Sequence, residues 1–247
     1  MLGVVIPAHN ESRTISACVR AVTSAISHRQ LSGEDARIVV VADACTDDTA
    51  HLARESGAEV VDIVARNVGV ARAAGARHLL ALGARWLAFT DADTIVSPDW
   101  LVEQLALCVD AVCGVVQIDD WSAHGESTRS HFGRTYFPID GHRHIHGANL
   151  GVSARAYTLA GGFEPLHSSE DVALIRALER TGATIAWSAA PEVTTSARTD
   201  FRAPDGFGAT LLDYTQMETR RHTSVAPLST PCASTDAVAC LLTGPSK

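Results

Sequence analysis

Short apolar runs alternate with helical patterns through the first half of the chain. Four runs are apolar at nearly every position, at residues 2–8, 36–44, 58–64 and 85–89. Between them, apolar side chains recur three and four positions apart, as they do across residues 15–26. Strands that are apolar on both faces and separated by helices are typical of a parallel sheet covered on each side. The pattern therefore predicts an α/β fold with a mostly parallel central sheet, helices on both faces and a single globular domain.

Helix ends are marked by small polar residues and by glycines. Predicted N-caps stand at Asn10, Thr46, Ser97 and Ser169. Glycines that would end the helices stand at Gly57, Gly83 and Gly182. These signals predict where the covering helices begin and end.

The pattern changes from about residue 113, where a region rich in histidine, glycine and aromatic residues begins and continues to about residue 150. The elements predicted in this half are a strand at 111–121, a short helix within 147–163, a helix over 168–182 and a strand at 183–190. Beyond about residue 200 the chain is rich in serine, threonine, alanine and proline, and we expect this segment to be loosely held.

Composition narrows the class of protein. The chain has 247 residues and a formal net charge of -8, which argues against a nucleic-acid-binding protein that neutralises many phosphates. The six cysteines are scattered without a CxxC pair, which is typical of reduced thiols in the cytoplasm. No secretory signal is recognisable, and no stretch reaches the roughly 20 apolar residues of a transmembrane segment. We therefore expect a cytoplasmic protein, with peripheral attachment to a membrane left open.

Two carboxylates, Asp91 and Asp93, follow the apolar run at residues 85–89. If the strand continued, both side chains would lie on one side of it. Two neighbouring carboxylates suit Mg²⁺ or Mn²⁺, which keep several waters and also bind substrate phosphates. The alternative is that Asp93 caps a turn before Thr94. The spacing thus predicts either a metal site or an ordinary turn.

Polar residues also follow the other predicted strands, and ligands of open α/β sheets bind at the carboxyl ends of the strands. Asp43 ends the second strand, where its carboxylate could accept hydrogen bonds from a base or a ribose, or form a turn. Arg72 lies one turn into the next helix and could reach a diphosphate, or point into solvent. We expect these strand ends to share one pocket.

Two further groups in the second half could carry chemistry. Glu170 and Asp171 begin a predicted helix, where acidic residues are favoured by the helix dipole and where one could also act as a general base. His142, His144 and His146 alternate, which would place three imidazoles on one face of a strand. Three histidines can bind zinc. The alternatives are that they line a polar pocket or that one of them is an extra ligand for a metal or an acceptor.

Five segments in order resemble the inverting family 2 glycosyltransferases of the GT-A fold, over about residues 3 to 200. The segments are "VVIPAHNE", "VVVADACTDDTA", "RNVGVARAAGA", "FTDADT" and "GANLGVSARAYTLAGGFEPLHSSEDVALIRALERTG". The third is similar to the N-x-G segment of the family, the fourth to its D-x-D motif, and the last contains the E-D pair at Glu170 and Asp171. Two departures stand out: Ala44-Cys45 replaces the usual Gly-Ser, and Arg72 lies slightly early in its segment.

The resemblance implies a role for each matching residue. The residues that would border the nucleotide and the diphosphate are Pro7, His9, Glu11, Asp43, Asn67, Arg72, Asp91, Ala92 and Asp93. Among them Asp43 would read the base, Asp91 would lie near the ribose, and Asp93 would hold Mn²⁺ or Mg²⁺ with Asp91 and His146 as further candidate ligands. Asp171, beside Glu170, would be the base that deprotonates the acceptor.

The resemblance also implies a division of labour along the chain. Residues 1–112 would bind the nucleotide sugar, residues 113–200 would bind the acceptor and supply the catalytic pair, and residues 201–247 would form a poorly defined extension. The donor would be a nucleotide-diphosphate sugar, with a UDP-sugar expected first. The acceptor would be a hydroxyl of a glycan, a lipid or a small molecule. The sequence leaves open whether the chain forms a homodimer.

Other functions have weaker support. A nucleotidyltransferase usually has a glycine-rich loop after the first strand, whereas this chain has "PAHNES" there. A dinucleotide oxidoreductase would show G-x-G-x-x-G at the same place. A catalytically idle sugar-nucleotide-binding protein or an assembly subunit stays open, because binding residues alone do not prove turnover.

Overall fold

The four apolar runs of the first half form strands in the computed structural model, which describes residues 1–197. These strands are β1 (Leu2–Ala8), β2 (Ala36–Asp43), β3 (Glu59–Ile63) and β4 (Trp86–Phe89). The helices that accompany them are α1 (Ile15–Ile26), α2 (Thr49–Glu55), α3 (Val68–Ala81) and α4 (Trp100–Ala106), with a short 3-10 turn at Arg29–Leu31.

The other elements described within residues 1–197 are four strands and three helices. The strands are β5 (Thr94–Val96), β6 (Ala111–Gln117), β7 (Leu150–Ser153) and β8 (Ile185–Thr195). The helices are α5 (Glu126–Thr135), α6 (Ala154–Ala160) and α7 (Glu170–Arg180). The elements β5, β7 and α5 were not predicted from the sequence.

All eight strands form one sheet in the order β3-β2-β1-β4-β7-β6-β8-β5. In the described residues, β1, β2, β3 and β4 pair in parallel, as do β6 and β8, whereas β4–β7, β6–β7 and β5–β8 are antiparallel. The predicted α/β fold is confirmed, and its antiparallel pairs all involve strands of the second half. Strand β7 joins the two halves because it lies between β4 and β6.

Apolar side chains pack on both faces of this sheet, as predicted. Along β1, Val4 and Ile6 point to the face covered by α1 and α4, whereas Val5 points to the face covered by α3 and α7. The core therefore has two apolar layers with the sheet between them. The predicted boundary between residues 112 and 113 falls inside β6, and the division into functional halves stays a prediction. The predicted extension at residues 201–247 lies outside the described residues.

Helix ends were predicted better at the carboxyl end than at the amino end. Gly57, Gly83 and Gly182 end their helices with φ of 98°, 87° and 75°, which is the left-handed conformation that glycine adopts without strain. Ser169 stands at the predicted N-cap position of α7, although its side chain makes no capping hydrogen bond. The other three N-caps were wrong, since the helices begin after Thr14, Asp48 and Asp99. Within residues 1–197, none of the helices has the length and apolar character needed to span a bilayer.

Candidate active site

The loops that follow β1 and β2 contact each other at the carboxyl edge of the sheet. The imidazole Nδ1 of His9 lies 2.6 Å from the backbone oxygen of Asp43, and the thiol of Cys45 donates to the backbone oxygen of Ala8 over 3.4 Å. Asn10, which was predicted to cap α1, has a φ of 55° and accepts a hydrogen bond from the backbone N–H of Thr46 at 2.8 Å. Its side chain therefore links the two loops instead of capping a helix.

Glu11 and Pro7 lie at the same edge. Glu11 is buried, its backbone N–H donates to the hydroxyl of Thr49 over 2.7 Å, and its carboxylate accepts from Thr14 over 3.3 Å. Pro7 is half-buried in β1, opposite Val41 of β2. The structure thus brings Pro7, His9 and Glu11 to one sheet edge.

Asp43 is buried, and its carboxylate is held by backbone groups. One oxygen accepts from the N–H groups of Ala65 and Arg66 at 2.7 and 2.8 Å, and the other accepts from the N–H of Asn67 at 2.8 Å. Arg66 has a φ of 50°, so the carboxylate stabilises a turn that a free chain would rarely adopt. These contacts favour the turn role that the sequence left open.

Asn67 joins the start of α3 to the loop before α7. Its side-chain oxygen accepts from the N–H of Val70 at 3.0 Å and so caps α3, while its side-chain N–H donates to the backbone oxygen of Pro165 at 3.0 Å. The N–H of Gly69 donates to the backbone oxygen of Leu166 at 3.1 Å. A β-carbon on Gly69 would lie 2.2 Å from the backbone oxygen of Glu164. Only glycine allows this approach, and the sequence pattern gave no sign of it.

The D-x-D motif lies in a turn between β4 and β5. Strand β4 ends at Phe89, and the N–H of Thr94 donates to the backbone oxygen of Asp91 at 3.1 Å. The strand does not continue through the motif, so the condition under which both aspartates would lie on one side of it is not met, and the motif forms the turn that the sequence left open. Ala92 is buried, whereas Asp91 and Asp93 are partly exposed.

Negative charge at this turn affects a nearby thiol. The Sγ of Cys18 lies 3.2 Å from the backbone oxygen of Asp91. Burial, followed by the charges of Asp91 and Asp93, raises the pKa of Cys18 well above its ordinary value. The two carboxylates of the turn therefore add to the effect of burial on this thiol.

The positive partner of Asp91 is Arg72. One terminal nitrogen of Arg72, Nη2, donates to Asp91 Oδ1 at 2.5 Å, and the other, Nη1, donates to Glu170 Oε1. Asp91, which the resemblance places near the ribose, thus has an arginine of the protein as its charge partner. Because the side chain of Arg72 is only 4% exposed and both terminal nitrogens have carboxylate partners, its contacts are with the protein.

Gly147 lies against this arginine and connects it to the second acid of the E-D pair. A β-carbon on Gly147 would be 2.5 to 2.6 Å from the guanidinium carbon and both terminal nitrogens of Arg72. The N–H of Gly147 donates to Asp171 Oδ2 at 2.7 Å. Glu170 is buried, whereas Asp171 is partly exposed at the first turn of α7. Of the two acids, Asp171 is the one that a ligand could reach.

The histidines lie in an irregular segment rather than on a strand, so that expectation was wrong. The ring of His144 stacks on Tyr136 with centroids 4.2 Å apart, and His142 and His146 flank it at 5.4 and 6.1 Å. The Nε2 of His146 lies 3.1 Å from the hydroxyl of Tyr136. Burial, followed by the neighbouring imidazoles, lowers the pKa of His146 to about 3, so its ring is neutral at pH 7.

A zinc site made of the three histidines does not form in this arrangement. The Nδ1 of His142 accepts from the N–H of His144 at 3.1 Å, and its Nε2 lies 3.3 Å from the backbone oxygen of Ser188. Across residues 1–197, no group of three or more His, Cys, Asp or Glu side chains is placed to hold a metal ion. The three histidines instead form a stacked polar cluster with Tyr136.

The carboxylates of the D-x-D turn nevertheless fit a divalent ion of another kind. Mg²⁺ is usually bound by one or two carboxylates together with substrate phosphates, so a cage of three protein ligands is not required. Asp91, Asp93, Glu170 and Asp171 bring four carboxylates to this part of the fold, and Arg72 contacts two of them, those of Asp91 and Glu170. Asp93 with Asp91 beside it therefore suits a cation that binds together with an anionic ligand.

Comparison with known proteins decides the family. The model of Glycosyl transferase family 2 matches residues 3–167. The chain belongs to this family. The predicted class, a family 2 glycosyltransferase, is confirmed by this match. One curated family relative, the low-salt glycan biosynthesis hexosyltransferase Agl6 of Haloferax volcanii, is 40% identical over 70 residues, which are 28% of this chain and 16% of that protein. The chain therefore spans only a small part of that relative.

Solved glycosyltransferases share the fold of this family 2 chain. S. aureus TarS 1–349 in complex with UDP is similar with a TM-score of 0.61, 14% identity and coverage of 92% of this chain and 73% of that one. Mannosyltransferase PcManGT from Pyrobaculum calidifontis in complex with GDP-Man and Mn²⁺ has a TM-score of 0.62, 16% identity and coverage of 92% and 76%. Glucosyl-3-phosphoglycerate synthase from Mycobacterium tuberculosis with Mn²⁺, UDP and glucosyl-3-phosphoglycerate has a TM-score of 0.58, 21% identity and coverage of 87% and 80%. These similarities confirm the predicted GT-A fold.

Proposed function

We propose that this chain is an inverting glycosyltransferase that moves a sugar from a nucleotide-diphosphate sugar to an acceptor hydroxyl. The observation that carries the proposal is the bridge through Arg72, because it joins Asp91 of the D-x-D turn to Glu170 of the E-D pair. The two motifs are 79 positions apart in the chain and could serve one reaction only if they met in space. Family membership makes sugar transfer the natural reaction for such a site.

The donor we propose is a UDP-sugar. Support comes from solved proteins of the same fold that contain UDP or UDP-GlcNAc, while a neighbour with GDP-Man makes a GDP-sugar the first competitor. Pro7, His9 and Glu11 would border the nucleotide, since they share the sheet edge at which ligands of α/β sheets bind. Asp43 would contribute by holding the loop that ends at Asn67.

The divalent ion we propose, Mn²⁺ or Mg²⁺, would be held by Asp93, with Asp91 beside it. Bound there, it would stabilise the negative charge that develops on the leaving nucleotide diphosphate. The position of the two carboxylates in one turn, and Mn²⁺ in solved proteins of the same fold, support this choice. His146 is a poor third ligand because its Nε2 faces the hydroxyl of Tyr136.

Asp171 would be the general base. As the acceptor oxygen bonds to the anomeric carbon, the bond from that carbon to the diphosphate oxygen breaks, and the acceptor proton passes to Asp171. Attack from the face opposite the leaving group inverts the configuration. The partial exposure of Asp171 and the fixed position of its Oδ2 on the N–H of Gly147 support this role. Glu170 is buried on Arg72 and would orient the start of the helix.

Incubation with a panel of nucleotide sugars and Mn²⁺ tests this function. Without an acceptor we expect slow hydrolysis of one donor, and with a suitable hydroxyl acceptor we expect transfer. D171N should lower transfer by about 10²- to 10⁴-fold, the usual contribution of a general base. Because asparagine can still accept from Gly147, binding of UDP measured by calorimetry should change little. D62N, on the exposed end of β3, is the matched control and should leave transfer unchanged.

Each alternative function has its own outcome in this experiment. Transfer that survives D171N would show that Asp171 is not the base. Binding of a nucleotide sugar without hydrolysis or transfer would support the idle binding protein, and release of pyrophosphate from a nucleoside triphosphate would support a nucleotidyltransferase. The acceptor class is read from the same assay by offering glycan, lipid and small-molecule alcohols in turn.

A further inference from the structure

Arg72 contacts carboxylates of the protein, whereas an arginine that binds the donor would contact its diphosphate. Its side chain is 4% exposed and ends between Asp91, which is 37% exposed, and Glu170, which is 5% exposed. Asp91 lies 19 positions and Glu170 98 positions along the chain from Arg72. One guanidinium thus connects α3, the D-x-D turn and the first turn of α7.

We infer that Arg72 is a positioning residue that fixes the D-x-D turn and the catalytic end of α7 relative to each other. The inference rests on the proposed function, because it assigns Asp91 to the donor side and Asp171 to the acceptor side of one reaction. Glu170 and Asp171 are adjacent, so a movement of Glu170 displaces the base. The arginine acts through these carboxylates and does not touch the substrate.

The shape of the guanidinium suits this task. Its two terminal nitrogens diverge in a rigid plane and serve two carboxylates at once, whereas a lysine ammonium is a single point at the end of a flexible stem. The ring of Phe163 lies 5.9 Å from the guanidinium carbon. The orientation of the guanidinium plane is therefore fixed by Phe163 as well as by the two carboxylates.

Gly147 provides the second link to the base. The absence of a side chain lets its backbone lie on the guanidinium of Arg72, and its N–H donates to Asp171 over 2.7 Å. Asp171 is therefore tied to Arg72 by two routes, through Glu170 and through the backbone of Gly147. A change at either residue should move the base with little direct effect on the nucleotide.

The test uses R72M, R72K and G147A in the full chain, with R77M as the matched control. Arg77 lies on the same helix, α3, and is exposed. We measure kcat and KM for the donor and the affinity for UDP with Mn²⁺ by calorimetry. A displacement of about 1 Å at a reacting group can lower a rate by about 10²-fold. We therefore expect R72M and G147A to lower kcat by about 10- to 100-fold, with UDP affinity within about threefold of wild type.

R72K retains the charge and can serve one carboxylate at a time, so its kcat should lie between those of R72M and the wild type. If R72M does not fold, the doubly neutral R72M/E170Q removes the unpaired buried carboxylate, and G147A perturbs the same contact while keeping the arginine. R77M should behave as wild type throughout.

Two results would overturn the inference. A rise in donor KM and a matching loss of UDP affinity, with kcat retained, would make Arg72 a donor ligand. Unchanged kinetics in both R72M and G147A would show that the bridge has no role in the reaction. Absence of any hydrolysis or transfer in the wild type would instead refute the proposed function itself, so the two failures are distinguishable.

Discussion

Replacing Asp43 by alanine should destabilise the fold more than it weakens nucleotide binding. Its carboxylate accepts hydrogen bonds from three consecutive backbone N–H groups, those of Ala65, Arg66 and Asn67. Alanine would leave all three donors without this acceptor in a turn that already contains Arg66 at a φ of 50°. Asn67 begins α3, so the loss would reach the helix that carries Arg72.

The magnitude follows from the hydrogen bonds. A bond to a charged acceptor contributes about 1.5 to 3 kcal/mol net, and three such bonds set an upper bound near 5 to 9 kcal/mol. Water can reach part of this loop in the variant, so we expect the free energy of unfolding to fall by about 3 kcal/mol for D43A. In a domain of this size that corresponds to a melting temperature lower by about 10 °C. D43N should lose about 1 to 2 kcal/mol, since its amide nitrogen would face one of the donors.

Equilibrium unfolding in urea, followed by tryptophan fluorescence, measures these differences, and the affinity for UDP is measured on the same samples. D62N is the matched control, because Asp62 is 65% exposed and pairs with Arg54 on the surface. An exposed pair contributes at most about 1 kcal/mol. A D43A protein that unfolds within about 1 kcal/mol of wild type and yet loses UDP affinity would refute the reasoning, and would return Asp43 to the base-reading role.

Two further predictions concern packing and ionisation. G69A should lower the free energy of unfolding by about 1 to 3 kcal/mol, because the added carbon would meet the backbone oxygen of Glu164 at 2.2 Å. The control is G133A in α5, where nothing lies within 4 Å, and it should leave the free energy of unfolding unchanged or raise it by up to about 1 kcal/mol. Equal effects of the two substitutions in the same denaturation assay would contradict this account. Burial raises the pKa of Tyr136 to about 12, whereas its pKa in the unfolded chain is about 10. The stability that this tyrosine contributes is therefore complete below pH 10 and is lost as the pH rises from 10 to 12, because the unfolded chain loses the proton first. At pH 11 the loss is on the order of 1 kcal/mol. Y136F should flatten the dependence of unfolding free energy on pH between 9 and 11, and an unchanged slope would argue against a buried neutral tyrosine.

The strands of the first half could be predicted because their signal is local and strong. Each is a largely apolar run, and α2 and α3 are followed by glycines whose positive φ is a property of the residue itself. Three elements gave no comparable signal, whereas β6, α7 and β8 of the second half were predicted. Strand β5 has three residues and β7 has four, and the sequence of α5, "ESTRSHFGRT", has no apolar stripe.

The predicted N-caps failed for a related reason. Asn10 is a good cap by residue type, but its side chain bonds to Thr46, 36 positions away, because β1 and β2 are adjacent in the sheet. Residue type predicts the ability to accept a hydrogen bond, and the partner is chosen by the topology. The same holds for Asp43, whose partners follow β3 rather than β2.

The charge balance of the site could be predicted only in part. The acidic motifs are readable along the chain, whereas an arginine one turn into a helix gives no indication of which carboxylates it will meet. That choice depends on β4 and β7 pairing side by side and on α3 and α7 covering the same face of the sheet. Arg72 is committed to Asp91 and Glu170, and Asp93 and Asp171 place further acidic groups on either side of this bridge. A diphosphate would add more, so a divalent cation at Asp93 is the simplest group that would let the anionic donor bind beside a base that must itself stay ionised.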